Sequence, residues 1–335
     1  MSERTQQDLA GQGTTVRRGP PQSPRGGGTR AAPPRGKSSN ARSREKRERR
    51  AALLFLLPDS LGLFTFVFIP MVLAIALGFF SMDGFGNLSF IGVDNFIRMA
   101  NDPQFWQSVR VTLVYLFVLV PAIFVVALAL ALLVQQKFPG VGAVRSALFA
   151  PYVISLVVVG LIWQFMLSDR VGVISRMLAP FGLQDVSWLG NPQLTLGTII
   201  FICVWFQMGY YMIIFLAGLQ DIPAEYYEAA RIDGTTAWQR LTRITLPLLG
   251  PTSFFVLITA TIAVITGGFD LIYIMTGGGP AGATSLLIFY IYEQAFLFGE
   301  YGYAAAIGST LIVVLMLWSL LLFKLTRGGR VNDGS

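Results

Sequence analysis

Long apolar runs separated by short polar loops dominate the chain from residue 51 onward. The hydrocarbon core of a bilayer is crossed by a helix of about 20 mostly apolar residues. Six segments meet this requirement, at roughly 51–80, 109–134, 144–167, 194–219, 251–275 and 303–323. The pattern predicts an all-α integral membrane protein with six transmembrane helices.

A seventh apolar run, 284–298, is shorter than the six predicted spans and contains Glu293. Counting it as a span would place Lys324 and Arg327 outside the cell, against the preference of basic residues for the cytoplasmic side. We therefore interpret this run as a re-entrant or interfacial helix on the outer face.

The positions of the basic residues orient the predicted spans. With six spans and a cytoplasmic N-terminus, 21 of the 25 Lys and Arg residues lie on the cytoplasmic side. This asymmetry is typical of multi-pass membrane proteins. Both termini, and the polar loop 220–250, are predicted to be cytoplasmic.

Residues 1–50 differ in composition from the rest of the chain. They hold 13 Lys and Arg but few apolar residues, so we expect a disordered basic cytoplasmic tail that lies near anionic lipid headgroups. The rest of the chain is slightly acidic, which argues against a nucleic-acid partner. Residues 51–327 form the predicted transmembrane domain, and 328–335 a short cytoplasmic tail.

The composition excludes several kinds of enzyme. The chain contains no His and only one cysteine, Cys203, which excludes a Ser-His-Asp triad, a His-ligated metal and a CxxC site. Gly36-Lys37-Ser38 lacks the first glycine of a phosphate-binding loop, because Ala31 stands there. We expect neither catalysis, nor a metal or cofactor, nor ATP hydrolysis by this chain.

Loop 220–250 predicts two short helices. Asp221 is placed to cap a first helix that begins near Pro223, and Gly234 is placed to end it in a left-handed conformation. Either Thr235 or the next residue can cap a second helix. The charged and aromatic residues of the loop suit docking to another protein, although a solvated helical hairpin is the simpler alternative.

The same loop resembles a known family. Glu228-Ala229-Ala230, then Gly234, then Ile244-Thr-Leu246-Pro247 match the EAA motif of ABC-importer permeases at every fixed position. The resemblance covers roughly 51–327 and includes IGVDNF, DPQFW and TGGGP, which begin at residues 91, 102 and 276. The chain is similar to the first permease subunit of carbohydrate importers of the maltose and glycerol-phosphate type.

The resemblance implies a fold, partners and a location. The fold is a type I importer permease whose loop 220–250 holds coupling helices, in the bacterial cytoplasmic membrane. The partners are a second homologous permease, two copies of an ABC ATPase that bind ATP, and an extracytoplasmic binding protein. Glu228 would contact the ATPase, and Gly234 would form the turn between the coupling helices.

One face of the fourth span carries a candidate substrate path. Cys203, Phe206, Gln207 and Tyr210 recur at helical spacing, which brings an amide and two aromatic rings together. A sugar path needs such groups, but packing between helices would also explain them. The resemblance implies that the substrate path follows this span and the fifth. In the fifth span Thr261 is a weaker polar candidate, because threonine often hydrogen-bonds the backbone of its own helix.

The outer face carries a second interaction candidate. Gly277-Gly278-Gly279-Pro280 predicts a flexible turn, which an aromatic helix follows. This helix could dock a binding protein or merely cap the bundle. Its aromatic residues are Phe289, Tyr290, Tyr292 and Phe296.

Two other functions compete with that of a permease. An ion-coupled secondary transporter needs a charged site near the bilayer midplane, and an enzyme acting on lipid-linked sugars needs clustered carboxylates or metal ligands at a membrane face. The cytoplasmic acidic cluster lies within the EAA motif. The sequence therefore favours the permease, without specifying the sugar.

Overall fold

The structure is a computed structural model that describes residues 54–82, 86–136, 138–169, 171–182 and 185–327, with backbone alone for 319 and 321–327. The predictions for the tails 1–50 and 328–335 lie outside this range. The chain divides into two units at Gly62. The described part of the first unit, 54–62, is helical, and the second unit holds the remaining elements.

Five helices are long and apolar enough to cross a membrane, and a bent pair of helices supplies a sixth span. All six coincide with the apolar segments predicted from the sequence. In the described chain, the five are α1 (Leu54–Leu77), α3 (Pro103–Val134), α7 (Thr195–Gln220), the stretch Gly250–Met275 and the last helix, which begins at Tyr301. The prediction of six transmembrane segments is confirmed.

The third span is broken into two helices. It consists of α4 (Val141–Val153) and α5 (Leu156–Met166), which meet at 95°. Pro151 lies in the last turn of α4 and lacks a backbone N–H. The chain is extended at Ile154 and Ser155, so α5 starts again in a new direction.

Shorter elements complete the described chain. A two-stranded antiparallel hairpin, β1 (Phe80–Met82) with β2 (Leu88–Phe90), and helix α2 (Asp94–Asn101) lie between the first two spans. Helix α6 (Val173–Leu178) and a 3₁₀ turn follow the third span. The later elements are α8 (Ala224–Ile232), α9 (Ala237–Arg240), a π-helical stretch Leu241–Thr245, α10 (Leu246–Leu248), α11 (Gly250–Gly267), α12 (Phe269–Met275), α13 (Leu287–Tyr292), a π-helical stretch Glu293–Leu297, and α14 (Tyr301–Arg327).

The core is centred on α3 and α7, which pack side by side and run in the same direction. Their fully buried side chains include Tyr115, Ile123 and Phe215. The 32 residues of α3 span about 48 Å, enough to cross the whole membrane. We call the bundle end where α3 begins the Asp102 end, and the end where α3 and α7 finish the EAA end.

Helix α4 approaches α7 closely at one glycine. A Cβ atom added to Gly209 would lie 2.0 Å from the carbonyl oxygen of Leu148. Small residues allow helix backbones to meet in this way within membranes. Gly209 therefore sets the distance between the third and fourth spans.

At the Asp102 end, one carboxylate joins three helices. Asp102 caps α3 through the backbone N–H of Gln104, and its other oxygen accepts hydrogen bonds from the Tyr290 hydroxyl at 2.5 Å and the Tyr303 hydroxyl at 2.6 Å. Burial alone would raise the pKa of Asp102, but these hydrogen bonds hold its pKa below the ordinary value. Arg98 lies 4.1 Å from the Tyr303 ring centre and pairs with Glu300.

The seventh apolar run is too short to span the membrane. It forms α13 and the π-helical stretch that follows, between the last two spans. Phe289 and Tyr290 are buried in the core, whereas Phe296 is 70% exposed. This segment is therefore packed onto the bundle along one side, and its free aromatic surface is limited to its end.

Candidate functional site

The EAA segment, residues 220–250, begins directly after α7 and projects from the EAA end. Its first helix, α8, has Pro223 at its N-cap and no side-chain cap. The prediction that Asp221 caps this helix is wrong, because Asp221 still closes the last turn of α7 through its own N–H to Ala217. Proline suits the first turn because its missing N–H has no intrahelical partner there.

Gly234 makes the turn between the two short helices, as predicted. Its φ is +71°, in the left-handed region that favours glycine. The N–H of Gly234 bonds the Arg231 carbonyl at 3.1 Å, and the N–H of Thr235 bonds the Ala230 carbonyl at 3.0 Å. These bonds satisfy carbonyls that the end of α8 leaves free.

The second helix begins at a capping box. The Thr236 hydroxyl accepts from the N–H of Gln239 at 3.3 Å, and the Gln239 side chain accepts from the N–H of Thr236 at 2.8 Å. The prediction of a threonine cap is confirmed at Thr236. The helical path then continues from α9 through Leu241–Thr245 to α10, which contains Leu246 and Pro247.

Side-chain hydrogen bonds hold the two helices together. The hydroxyls of Tyr227 and Thr245 lie 3.1 Å apart, and Arg240 donates to the Thr235 carbonyl at 2.5 Å. Thr235 in turn donates to the Ala230 carbonyl at 2.7 Å. Because Ala230 is buried beneath this contact, a larger side chain there would separate the helices.

The outer side of this helical pair is exposed. Ile232 is 86% exposed and Trp238 is 72% exposed, on either side of the glycine turn. Glu228 is also exposed and makes no hydrogen bond or ion pair with any described residue. Single exposed apolar residues are ordinary, but an isoleucine and a tryptophan on one rigid turn form a surface suited to a protein partner.

The other EAA-motif residues differ in exposure. Ala229 is exposed, Ile244 is half-buried, and Leu246 and Pro247 are exposed. A groove separates the helical pair from the end of α3, and residues from both sides line it, including Gln135, Tyr227 and Glu228. The structure thus keeps the motif at one end of the bundle while only part of it is accessible.

The candidate substrate face of α7 divides into two parts. Cys203 is 4% exposed, and its thiol lies 3.1 Å from the Tyr115 hydroxyl inside the core. The other three residues, Phe206, Gln207 and Tyr210, are only half-buried. The structure therefore brings these three together and assigns Cys203 to the packing of α3 against α7.

An aromatic residue that the sequence analysis missed joins this group. Tyr152, in the last turn of α4, stacks on Tyr210 with ring centres 4.5 Å apart, and its ring centre lies 5.5 Å from that of Phe206. The Gln207 amide has no hydrogen-bond partner among the described residues. The sequence offers one signal for this residue, because Tyr152 directly follows Pro151 and proline kinks or ends a helix.

Thr261 in α11 is buried and donates to the Leu257 carbonyl of its own helix at 2.7 Å. A threonine hydroxyl that bonds its own helix backbone is less available to a substrate, so Thr261 remains a weaker candidate. Thr261 makes no hydrogen bond to the aromatic group formed by Tyr152, Phe206 and Tyr210.

The glycine-rich turn at the Asp102 end is tied down by several bonds. The hydroxyls of Thr276 and Thr284 lie 2.7 Å apart, Thr284 also donates to the Gly279 carbonyl, and Gln107 of α3 donates to the Ala281 carbonyl at 3.0 Å. The expectation of a flexible turn is therefore wrong. Gly277 and Gly278 instead adopt the positive φ angles that the path of this turn requires.

Six transmembrane segments with a helical pair projecting from one end make the chain a multi-pass membrane protein. Residues 97–326 match the family described as binding-protein-dependent transport system inner membrane component, and the chain belongs to this family. It is a permease subunit of an ABC importer and not an enzyme.

Relatives and one solved structure agree with this assignment. The chain is 36% identical to the probable ABC transporter permease protein YesP of Bacillus subtilis (strain 168), over 83% of this chain and 91% of that protein. It is 34% identical to the trehalose/maltose transport system permease protein MalF of Thermococcus litoralis, over 71% and 80%. A bacterial alginate ABC transporter, solved with an alginate pentasaccharide-bound periplasmic protein, contains a chain with TM-score 0.74 and 28% identity, covering 84% of this chain and 96% of that one.

Proposed function

We propose that this chain forms, with a second homologous permease, the transmembrane path for a carbohydrate that an extracytoplasmic binding protein delivers. Two ABC ATPase subunits bind and hydrolyse the ATP, so this chain needs no cofactor of its own. Relatives named for trehalose/maltose and for lactose transport support a sugar as the substrate.

The observation that carries this proposal is the rigid, exposed helical pair of the EAA segment. A coupling element must transmit the movement of an ATPase without bending, and the capping box and the Tyr227–Thr245 contact provide this stiffness. Trp238 and Ile232 supply an apolar anchor, and Glu228 a polar contact to the ATPase. The buried Ala230 and the turn at Gly234 keep these groups in a fixed arrangement.

The substrate contact is proposed for Phe206, Gln207 and Tyr210, together with Tyr152. Aromatic rings pack against the C–H faces of sugars, and a free amide offers both a donor and an acceptor for sugar hydroxyls. These residues lie where α4 ends and the third span bends. A change in the angle between α4 and α5 would therefore alter the site, as alternating access requires.

The proposed orientation places the EAA end in the cytoplasm of a bacterial cell. Both termini then lie on the cytoplasmic side, and the Asp102 end faces the binding protein. The charge distribution supports this, since 21 of 25 basic residues fall on the cytoplasmic side. Cysteine labelling with a membrane-impermeant reagent, at Thr242 and at Ile97, tests the orientation in a Cys203→Ser background.

Co-purification tests the coupling. Ile232→Ser removes an exposed apolar side chain from the turn and is expected to reduce the ATPase recovered with the permease by about tenfold, because centrally placed apolar anchors dominate interfaces. Ile97→Ser, at the Asp102 end and also exposed, is the matched control and should leave recovery unchanged. Equal recovery from both variants would remove the basis for the coupling role.

The energy source separates the proposal from ion-coupled transport. In proteoliposomes that contain the complete complex, uptake should require enclosed ATP on the EAA side and persist when a protonophore dissipates the proton gradient. Uptake that follows an ion gradient without ATP would contradict the proposal.

A further inference from the structure

The third and fifth spans are each divided into two helices. The third is broken at Ile154 and Ser155, between α4 and α5. In the fifth, α11 ends at Gly267 and α12 follows Gly268. Small residues in sequence are common sites of helix bending, because no side chain stiffens the backbone there. Each span therefore has a longer part toward the EAA end (α4 or α11) and a shorter part toward the Asp102 end (α5 or α12).

The two shorter helices are joined to each other. Gly160 of α5 lies so close to α12 that an added Cβ atom would touch Leu271 at 3.4 Å and Ile274 at 3.5 Å. One turn further along α5, the Gln164 side chain donates to the Ile274 carbonyl at 3.1 Å. A hydrogen bond between two spans is retained, because lipid chains offer the amide no other partner. We call these two helices the α5–α12 pair.

The longer parts, α4 and α11, are instead fixed to α7. Helix α4 meets α7 at Gly209, and Tyr152 at its end stacks on Tyr210. Helix α11 meets α7 where a Cβ atom added to Gly218 would lie 2.4 Å from the Thr252 hydroxyl oxygen. Such close approaches resist sliding, because a packed interior has almost no free space. The two breaks thus separate the α5–α12 pair from a body formed by α4, α7 and α11.

Aromatic contacts connect the α5–α12 pair to its neighbours. Trp163 of α5 lies edge-on to Trp205 of α7, with ring centres 5.5 Å apart. On α12, Phe269 and Tyr273 contact Tyr292 of α13, with ring centres 5.0 and 5.4 Å apart. Aromatic rings attract each other over a range of separations and tilts, so they can slide with little loss of contact. The pair can therefore shift against its neighbours more easily than its two helices can separate.

The break in the third span lies beside the proposed substrate contact. Tyr152, which stacks on Tyr210, is two residues before Ile154. From this point α5 runs at 95° to α4, and Gln164 meets α12 about 13 Å beyond Ser155. The α5–α12 pair therefore extends from the aromatic group to the fifth span, on the side of the Asp102 end. Movement of the pair would change access to the aromatic group from that end.

We propose that the α5–α12 pair moves as one body about residues 154–155 and 267–268, and so opens and closes the substrate path at the Asp102 end. Gln164 is a positioning residue that keeps the two helices together during this movement. The inference rests on the proposed transport function, because alternating access needs the path closed at one end whenever it is open at the other. Hinges at the ends of helices, combined with sliding of packed side chains, are common components of such movements.

Distances between nitroxide labels test the movement in the complete importer complex, held in nanodiscs. Exposed residues are replaced with labelled cysteines in a Cys203→Ser background, and pulsed electron paramagnetic resonance compares the nucleotide-free complex with one trapped by ATP and vanadate. Phe165 lies about 15 Å along α5 from Ser155, so a rotation of about 25° displaces it by about 6 Å. We expect the distance from Phe165 to Phe255 of α11 to change by about that amount. The distance from Phe165 to Asp270 of α12 should stay constant.

Removing the Gln164 side-chain amide tests its positioning role. Gln164→Leu keeps an apolar side chain of similar size but loses the hydrogen bond to α12, and should broaden the Phe165–Asp270 distance distribution about twofold. Gln107→Leu is the matched control, because Gln107 likewise donates to a backbone carbonyl at 3.0 Å, at the Asp102 end but outside the pair. This control should leave the distribution unchanged.

Stiffening the break in the fifth span tests the hinge. Gly267→Ala adds a Cβ atom that meets nothing within 4 Å and favours a continuous helix. It should lower the population with the changed Phe165–Phe255 distance about fivefold. Gly197→Ala makes the same change in open space within α7 and is the control.

Several outcomes would overturn the proposal. Equal changes in the Phe165–Asp270 and Phe165–Phe255 distances would show that α5 and α12 separate, and a change of that size between Phe255 and Ile213 of α7 would show that the body itself deforms. A complex that hydrolyses ATP without any change at Phe165 refutes this inference alone, whereas a complex without ATP hydrolysis contradicts the proposed function as well. Thermal unfolding checks that each variant is folded, and the distances in the labelled parent chain decide the matter if a variant fails to fold.

Discussion

Replacing Gly234 with valine tests whether the turn of the EAA segment transmits force. A Cβ atom added there meets nothing within 4 Å, so the substitution introduces no clash. Its whole effect comes from the backbone, because φ is +71° and a β-branched residue strongly disfavours this region. The variant therefore isolates the conformation of the turn from its packing.

The size of the effect follows from the contacts that compete with it. A non-glycine residue in the left-handed conformation costs about 1–3 kcal/mol, with valine near the upper limit. Hydrogen bonds such as those of the capping box and the Tyr227–Thr245 pair contribute about 1 kcal/mol each. The strain is comparable to the bonds that hold the two helices together. A cost of about 2 kcal/mol lowers the population of the native left-handed turn at residue 234, relative to other conformations of the turn, about 30-fold.

Substrate-stimulated ATPase activity in proteoliposomes measures the consequence. Gly234→Val should lose most of the stimulation, Gly234→Ala should lose part of it, and Gly234→Asn should retain most, since asparagine tolerates the left-handed region. Gly182→Val is the matched control, because Gly182 has φ of +72° in open space at a different loop. Full stimulation in Gly234→Val, or equal loss in Gly182→Val, would refute the reasoning.

Three further substitutions test other parts of the structure. Gly209→Ala should lower the free energy of unfolding by about 1–3 kcal/mol, because its methyl group overlaps a backbone carbonyl; thermal unfolding measures this, with Gly197→Ala as the control in open space. Asp102→Asn should destabilise the Asp102 end by about 1–3 kcal/mol by weakening two charge-assisted hydrogen bonds. Because the folded pKa of Asp102 is lowered, its contribution is complete above the unfolded pKa of about 3.9 and is lost as the pH falls through the lower folded value. Gln207→Ala should raise the KM for uptake about fivefold while leaving basal ATPase activity unchanged.

Distinct results would contradict each of these expectations. Unchanged melting of Gly209→Ala would mean that α4 and α7 can separate without cost. Equal stability of Asp102→Asn and the original protein at pH 7 would show that the carboxylate does not hold the three helices. A Gln207→Ala variant with normal KM would assign this amide to helix packing rather than to the path.

Much of the architecture is a property of the local sequence. Span length follows from bilayer thickness, so apolar run length alone located all six segments. The glycine turn at Gly234 and the cap at Thr236 were also predictable, because backbone φ preferences and capping hydrogen bonds act between residues only a few positions apart. The EAA motif was recognised from its resemblance to ABC-importer permeases, because its fixed positions lie within 20 residues of the chain.

Tertiary structure decided what the side chains of the spans contact. Helical periodicity placed Cys203 on one face with Gln207 and Tyr210, but the contact with Tyr115 of α3 buries the thiol, and periodicity does not reveal which neighbour covers a face. An all-apolar helix has no polar side to orient it in lipid, so packing alone sets its rotation. The stacking of Tyr152 on Tyr210 and the hydrogen bonds of Asp102 join residues far apart in sequence. Such pairs exist only once the helices have packed.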